Sequence, residues 1–269
     1  YGSTNRGGSL DWSQSNAEDT GQSVQDVVDG FAGSYAVSTY LWDDITQTEV
    51  REYNQGDQED GYVVVYPIDE RSSSYATYPK FRTENGTRIS LRLGVWDEIA
   101  QRYDNDRLKL INMPVLKPHA IYGVTGCIKH YMGVTSDFIT NGLGARAHIR
   151  IMQGGMGTAI AGSRYPDLNI LDAIWVSLSP GIGPSVSYSQ ATRLDVIAAS
   201  TDPVALDYWA TKYILMQGAE QLQKSSASFD PDGTNSFAEY LRTSAEILME
   251  EGFPVTYTES SMSIHVSEL

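Results

Sequence analysis

Val24, Val27, Val28 and Phe31 recur at helical spacing, which predicts a helix over 22–33 stopped at Gly33. Alternation over 37–42 reads as a strand. The run Tyr62-Val-Val-Val-Tyr66, bounded by Gly61 and Pro67, predicts a buried strand. Residues 67–88 are polar and predict a long loop of the kind that is often functional. Further on, the pattern predicts a strand over 89–93, a short helix over 95–103 and a strand over 107–113 that ends at Pro114.

The second half alternates more regularly. Strands are expected over 168–178, with Asp172 inside, and over 194–199. Ser179-Pro-Gly-Ile-Gly-Pro184 is a tight turn, whose glycines could also cradle an anion. Thr201-Asp202-Pro203 is a helix-start signature, Asp as N-cap and Pro in the first turn, for a helix running to about 216. An amphipathic helix over 236–251 stops at Gly252 and Pro254, and 262–266 closes as a strand. Strands alternating with helices predict an α/β fold: layered, with a largely parallel or mixed sheet flanked by helices. Residues 1–21, rich in Gly, Ser, Asn and Asp, are expected to form a mobile or extended arm, and 22–269 a single α/β domain.

Composition narrows the function classes. Of 269 residues 41% are hydrophobic and 20% charged, enough apolar material for a core. The formal net charge of -15 repels phosphate backbones, and no basic run offers a local exception, so nucleic acid is not the expected partner. No apolar run reaches membrane-spanning length. Lysine is scarce beside Ser, Thr, Tyr and Asp, a balance that suits an exported (extracytoplasmic or secreted) or a salt-adapted protein. Asn85-Gly-Thr87 fits a glycosylation sequon. The single cysteine, Cys127, rules out an internal disulfide framework and an iron–sulfur cluster held by this chain alone.

Candidate chemistry gathers in one stretch. Three of the four histidines, His119, His130 and His148, fall within thirty residues, together with Cys127 and Lys129, and Lys117 lies just ahead of them. Imidazole titrates near neutral pH and is the commonest metal ligand. The stretch follows an expected strand end, where α/β proteins place ligands. Gly123 and Gly126 would let backbone approach a bound group, and a helix over 126–132 would aim N–H groups at an anion. The plainer alternatives are a solvated His130, a Cys127 that is a small buried residue, and an Asp202 that is only a cap. Asp230-Pro-Asp-Gly233 with Glu239 faintly echoes a calcium loop and reads better as a capped loop before the last long helix.

Ile111-Asn-Met-Pro-Val-Leu-Lys-Pro-His119, then Thr125-Gly-Cys-Ile-Lys129 and Gly133, resembles the core signature of the prokaryotic "domain of unknown function 362" family. Leu168-Asn-Ile-Leu-Asp172, Gly181-Ile-Gly-Pro184 and Ala199-Ser-Thr-Asp-Pro-Val-Ala-Leu-Asp207 continue the likeness, which covers about 105–266. His130 departs from it, since the family more often has Asn there. Many members also carry a ferredoxin-like module with cysteine clusters, absent from this sequence. Locally, the spacing His119, Gly123, Gly126, Lys129 is similar to a motif of the nickel-pincer lactate racemase family. That likeness implies His119 as acid/base, Lys129 as cofactor anchor and His148 as a metal ligand, although its offset is longer here.

The resulting expectation is an exported α/β protein with a metal or anionic-cofactor site, acting by proton or hydride transfer on a small carboxylate. Catalysis falls to His119 and Lys129. Cofactor contacts fall to Lys117, Gly123, Thr125, Gly126 and Lys129, metal ligation by a divalent transition ion to His148 and His119, and supporting roles to Asp172 and Asp202. The rivals are a non-catalytic extracellular binding or surface-assembly protein, which would self-associate, and a redox accessory subunit.

Overall fold

The computed structural model describes residues 21–65, 76–134, 136, 139, 155–180 and 188–267. These pack into two compact units. The expected arm up to residue 20, residues 181–184 of the expected 179–184 turn, and His148 lie outside the described residues.

The first unit holds α1 (Val24–Asp29) and an antiparallel five-stranded meander: β1 (Gly61–Val65), β2 (Ala76–Arg82), β3 (Arg88–Ser90), β4 (Gly94–Asp97) and β5 (Arg102–Asp104). Ser23 caps α1 reciprocally with Asp26, and the helix stops at Gly30, short of the expected Gly33. The expected strand over 37–42 does not form. Tyr40 and Trp42 instead lay their rings against Phe81, in a core with Ile45 and Tyr62.

Two further expectations are corrected in this unit. Part of the stretch read as loop is the buried strand β2: Lys80 is fully buried because its ammonium meets the Asp57 carbonyl at 2.9 Å and lies 4.3 Å from the centre of the Tyr53 ring. The expected helix over 95–103 is a β-hairpin. Asp97 Oδ1 accepts the Ile99 and Ala100 N–H groups, Gln101 takes a left-handed conformation, and Trp96 pairs with Tyr103 across the strands at 5.0 Å. Turn chemistry and a cross-strand aromatic pair outweigh a helix-like spacing whose Ile99 is 97% exposed.

The second unit holds two small sheets and most of the helices. The first sheet has the order β10 (Thr192–Ser200), β9 (Leu168–Val176), β6 (Ile111–Asn112), with β9 and β10 antiparallel and β6 parallel to β9. The second is a hairpin of β7 (Lys117–His119) and β8 (Gly123–Thr125). Mixed helix and strand is as expected, but a layered, largely parallel sheet is not what forms. The sheets are small and mostly antiparallel, because Pro114 and the tight 120–122 turn break the 107–125 stretch into pieces of two and three residues. The expected strand over 107–113 survives as β6 alone, continued past Pro114 by a bridge between Val115 and Asp172.

The helices are α2 (Cys127–His130), α3 (Gly155–Gly162), α4 (Pro203–Ala210), a π-helical turn over Thr211–Met216, α5 (Gln217–Gln221) and α6 (Ser236–Glu250). Asp202 caps α4 as expected, and Gly252 turns the chain at φ +83 after α6. Glycine-rich α3 has no clear apolar period. It packs on α6, where a Cβ at Gly157 would come within 2.8 Å of the Ser244 carbonyl. The expected strand over 262–266 does not form: no described strand pairs with it, and Ile264 and Val266 are exposed.

Candidate functional site

The β7–β8 hairpin organises the stretch singled out by sequence. Its register sets Lys117 opposite Thr125, Pro118 opposite Val124, and His119 opposite Gly123. Directly paired residues share a face, and alternate residues along a strand share it too. One face therefore carries Lys117, His119 and Thr125. Val124, on the other, is fully buried, and its carbonyl accepts the Tyr240 hydroxyl at 3.1 Å.

His119 is 5% exposed. Its Nδ1 accepts the N–H groups of Ile121 at 3.2 Å and Tyr122 at 3.3 Å, closing the turn on itself. The neutral ring then carries its proton on Nε2. Burial holds the Lys117 ammonium below its usual range. The Thr125 hydroxyl is shielded from solvent and has no hydrogen-bond partner, an unmet demand that natural structures rarely leave. Lys129 is buried on α2, which begins two residues after Thr125.

Asp207 fixes that helix. Its carboxylate, fully buried, accepts the Cys127 N–H at 2.6 Å and the Ile128 N–H at 3.0 Å. These are the first-turn amides expected to face an anion; the protein's own carboxylate takes them. Burial raises the Asp207 carboxyl to about 6, against the lowering effect of those N–H groups. The neighbouring Cys127 thiol is pushed well up by burial and by Asp207, so it stays protonated.

The glycines serve the same packing. A Cβ at Gly126 would lie 2.3 Å from Asp207 Oδ1, and Gly123, at φ +74, would bring one within 2.4 Å of the Ser228 carbonyl. The close approaches they permit are to Asp207 and to the Ser228 backbone.

A second network starts at Asn112 on β6. Its Nδ2 donates to the Cys127 carbonyl at 3.0 Å and to Asn169 Oδ1 at 2.9 Å, while Asn169 Nδ2 donates to the Ser200 carbonyl at 3.1 Å. Asn112 Oδ1 meets His130 Nδ1 at 2.6 Å. Burial, helped by the Lys117 charge, holds the His130 imidazole at about 4, so it is neutral at pH 7. Sequence reasoning left His130 out of the site, and it took Asp207 only as the last residue of the Ala199–Asp207 stretch. The signal for Asp207 was its place in the Asp202–Asp207 motif, but nothing in the sequence pairs it with Gly126.

The two acids given supporting roles act through backbone. Asp172 N–H donates to the Pro114 carbonyl and its carbonyl accepts Leu116 N–H, which ties the segment entering β7 to β9. Asp202 Oδ1 accepts the Val204 and Ala205 N–H groups, and Oδ2 accepts Thr256 N–H at 2.6 Å. In the 230–235 loop, Asp232 bonds Lys212 and Tyr208, and Asn235 caps α6, so that loop is tied into the protein. Among the described residues no group of three or more His, Cys, Asp or Glu could hold a metal ion. No described helix is long and apolar enough to cross a membrane.

Residues 95–212 match the family described as domain of unknown function (DUF362), a span that takes in the hairpin, α2, β9, β10 and α4. No curated protein and no solved structure matches the chain. The likeness to the nickel-pincer lactate racemases rests on residue spacing alone.

Proposed function

We propose, from the premise that residues 95–212 are a DUF362-family region, that the Lys117–His119–Thr125 face of the β7–β8 hairpin binds a small anion. The observation that carries this reading is the shielded Thr125 hydroxyl without a partner, set directly across the hairpin from the half-buried Lys117. A carboxylate or phosphate oxygen would accept from the hydroxyl and from the ammonium, and the low-dielectric surroundings strengthen both bonds. His119 lies on the same face and is the candidate acid/base. Lys129, buried on α2, is the candidate cofactor anchor.

If the site is catalytic, it runs proton or hydride transfer on a small carboxylate, with His119 as the acid end and Lys129 as the cofactor anchor. Export from the cytoplasm belongs to the same reading; a divalent metal held by His148 with His119 is its alternative, because His119 Nε2, the ring atom not taken by the turn amides, cannot both carry the acid proton and bind a metal. The scarcity of lysine supports the first and the residue spacing the second.

Calorimetric titration with acetate and with inorganic phosphate tests the anion site. Thr125→Val keeps the shape and removes the hydroxyl, and Lys117→Gln removes the charge. Each is expected to weaken binding roughly tenfold, in line with one charge-assisted hydrogen bond. Equal affinity in both variants and the parent would defeat the reading.

A further inference from the structure

Asn85-Gly-Thr87, the only Asn-x-Ser/Thr triplet of the chain, lies in the turn that joins β2 to β3. Thr83 N–H donates to the Thr87 carbonyl and Gly86 N–H to the Thr83 carbonyl, each at 2.9 Å, and Thr87 N–H donates to Thr83 Oγ1 at 3.1 Å. Gly86 takes the left-handed conformation, φ +79, that closes such a hairpin. The turn thus accounts for Gly86 and for the hydroxyl of Thr83. It makes no use of the Asn85 amide or the Thr87 hydroxyl: among the described residues neither has a hydrogen-bond partner. The amides of Asn112, Asn169 and Asn235, by contrast, are all held by hydrogen bonds. Asn85 is exposed, and a Cβ at Gly86 would meet nothing within 4 Å, so the space over the turn is open.

We propose that Asn85 is a glycan attachment site, taking a sugar from a donor activated at C1 as a phosphate ester. The triplet supplies the acceptor pattern, and the fold supplies what a bulky substituent needs: an exposed amide that no contact holds, with open space around it. The bond formed joins Asn85 Nδ2 to the sugar C1. The bond broken joins C1 to the phosphate oxygen, which leaves with the bonding pair, and the amide proton passes to a base of the transferase. A lipid-linked sugar phosphate outside the cytoplasm and a nucleotide sugar inside it share this chemistry. The site lies in the first unit and does not depend on the anion-binding reading of the β7–β8 hairpin.

The test uses the full chain, purified from the cells that naturally make it. Trypsin cleaves after Arg82 and Arg88 and releases Thr83–Arg88, whose mass is then measured. The peptide is expected to be heavier by one or more sugar residues, and its fragments to place them on Asn85. Asn85→Gln and Thr87→Ala, made in the same cells, are expected to lose the sugar, and Thr87→Ser to keep it. All three changes fall in the turn, and the parent peptide gives the answer without any variant. Sugar on exported protein assigns the lipid-linked donor, and sugar on protein retained in the cytoplasm assigns the nucleotide donor; either supports the site. A bare peptide throughout the parent protein overturns the proposal. So does a mass gain no larger than conversion of Asn85 to aspartate, a sugar mapped to a threonine hydroxyl, or a sugar that persists in Thr87→Ala.

Discussion

Asp207 shows how much one buried carboxylate can decide. It supplies the two acceptor oxygens that begin α2, and Gly126 is the only residue type that leaves it room. Its carboxyl is raised to about 6 in the folded protein from a reference near 3.8. Between those values the folded state binds more protons than the unfolded chain, so stability falls as pH rises through the window. A shift of about two units corresponds to roughly 3 kcal/mol. Urea denaturation from pH 4 to pH 7 should show that fall, after allowance for the other carboxylates, and Asp207→Asn should flatten it. The same substitution turns an amide NH2 toward a backbone N–H, so at pH 7 the variant gains from losing the buried charge and loses about 1–3 kcal/mol from the unmet donor. Gly126→Ala pushes a methyl group into the carboxylate and is expected to cost about 1–3 kcal/mol by the same assay. A neutral result there would mean that Asp207 moves aside easily, and that it does not hold α2.

Elements in the second unit owe their positions to capping and bridging. Asp202 closes the first turn of α4 and also holds the Thr256 amide, so one side chain joins a helix start to the carboxyl-terminal segment. Asp202→Ala should cost about 1–2 kcal/mol and speed proteolytic cleavage beyond α6, whereas Asp202→Asn or Asp202→Ser should restore the cap without restoring the tie to Thr256. Equal proteolysis rates in parent and alanine variant would show that Thr256 is held by other contacts. Capping motifs are visible in sequence because the partner is two or three residues away: Ser23 with Asp26, Asp202 with Val204, and Asn235 with Ala238 all follow local rules. The hairpin β4–β5 was hidden because its signal, the Trp96–Tyr103 pair, depends on strands that must already be side by side.

For the whole molecule, two compact units with separate polar centres predict two calorimetric transitions. In the first unit Glu52 is buried and accepts the hydroxyls of Tyr78 at 2.6 Å, Ser90 at 2.8 Å and Tyr103 at 2.5 Å. Glu52→Gln should lower the transition of that unit, and Gly126→Ala that of the other. A shift of one common transition by both would show a single cooperative fold. The sequence by itself determined the α4 cap, the limits of β9, β10 and α6, the family likeness later matched over 95–212, and the stretch that carries Lys117, His119, Thr125 and Lys129. Those properties follow from short-range rules: periodicity, caps, glycine and proline. Tertiary structure alone decided that β2 is buried, that the sheets are small and mostly antiparallel, that Asp207 starts α2, and that His130 meets Asn112. Each of those depends on a partner many residues away or on a backbone group whose direction the fold sets, and a linear pattern of polar and apolar positions records neither.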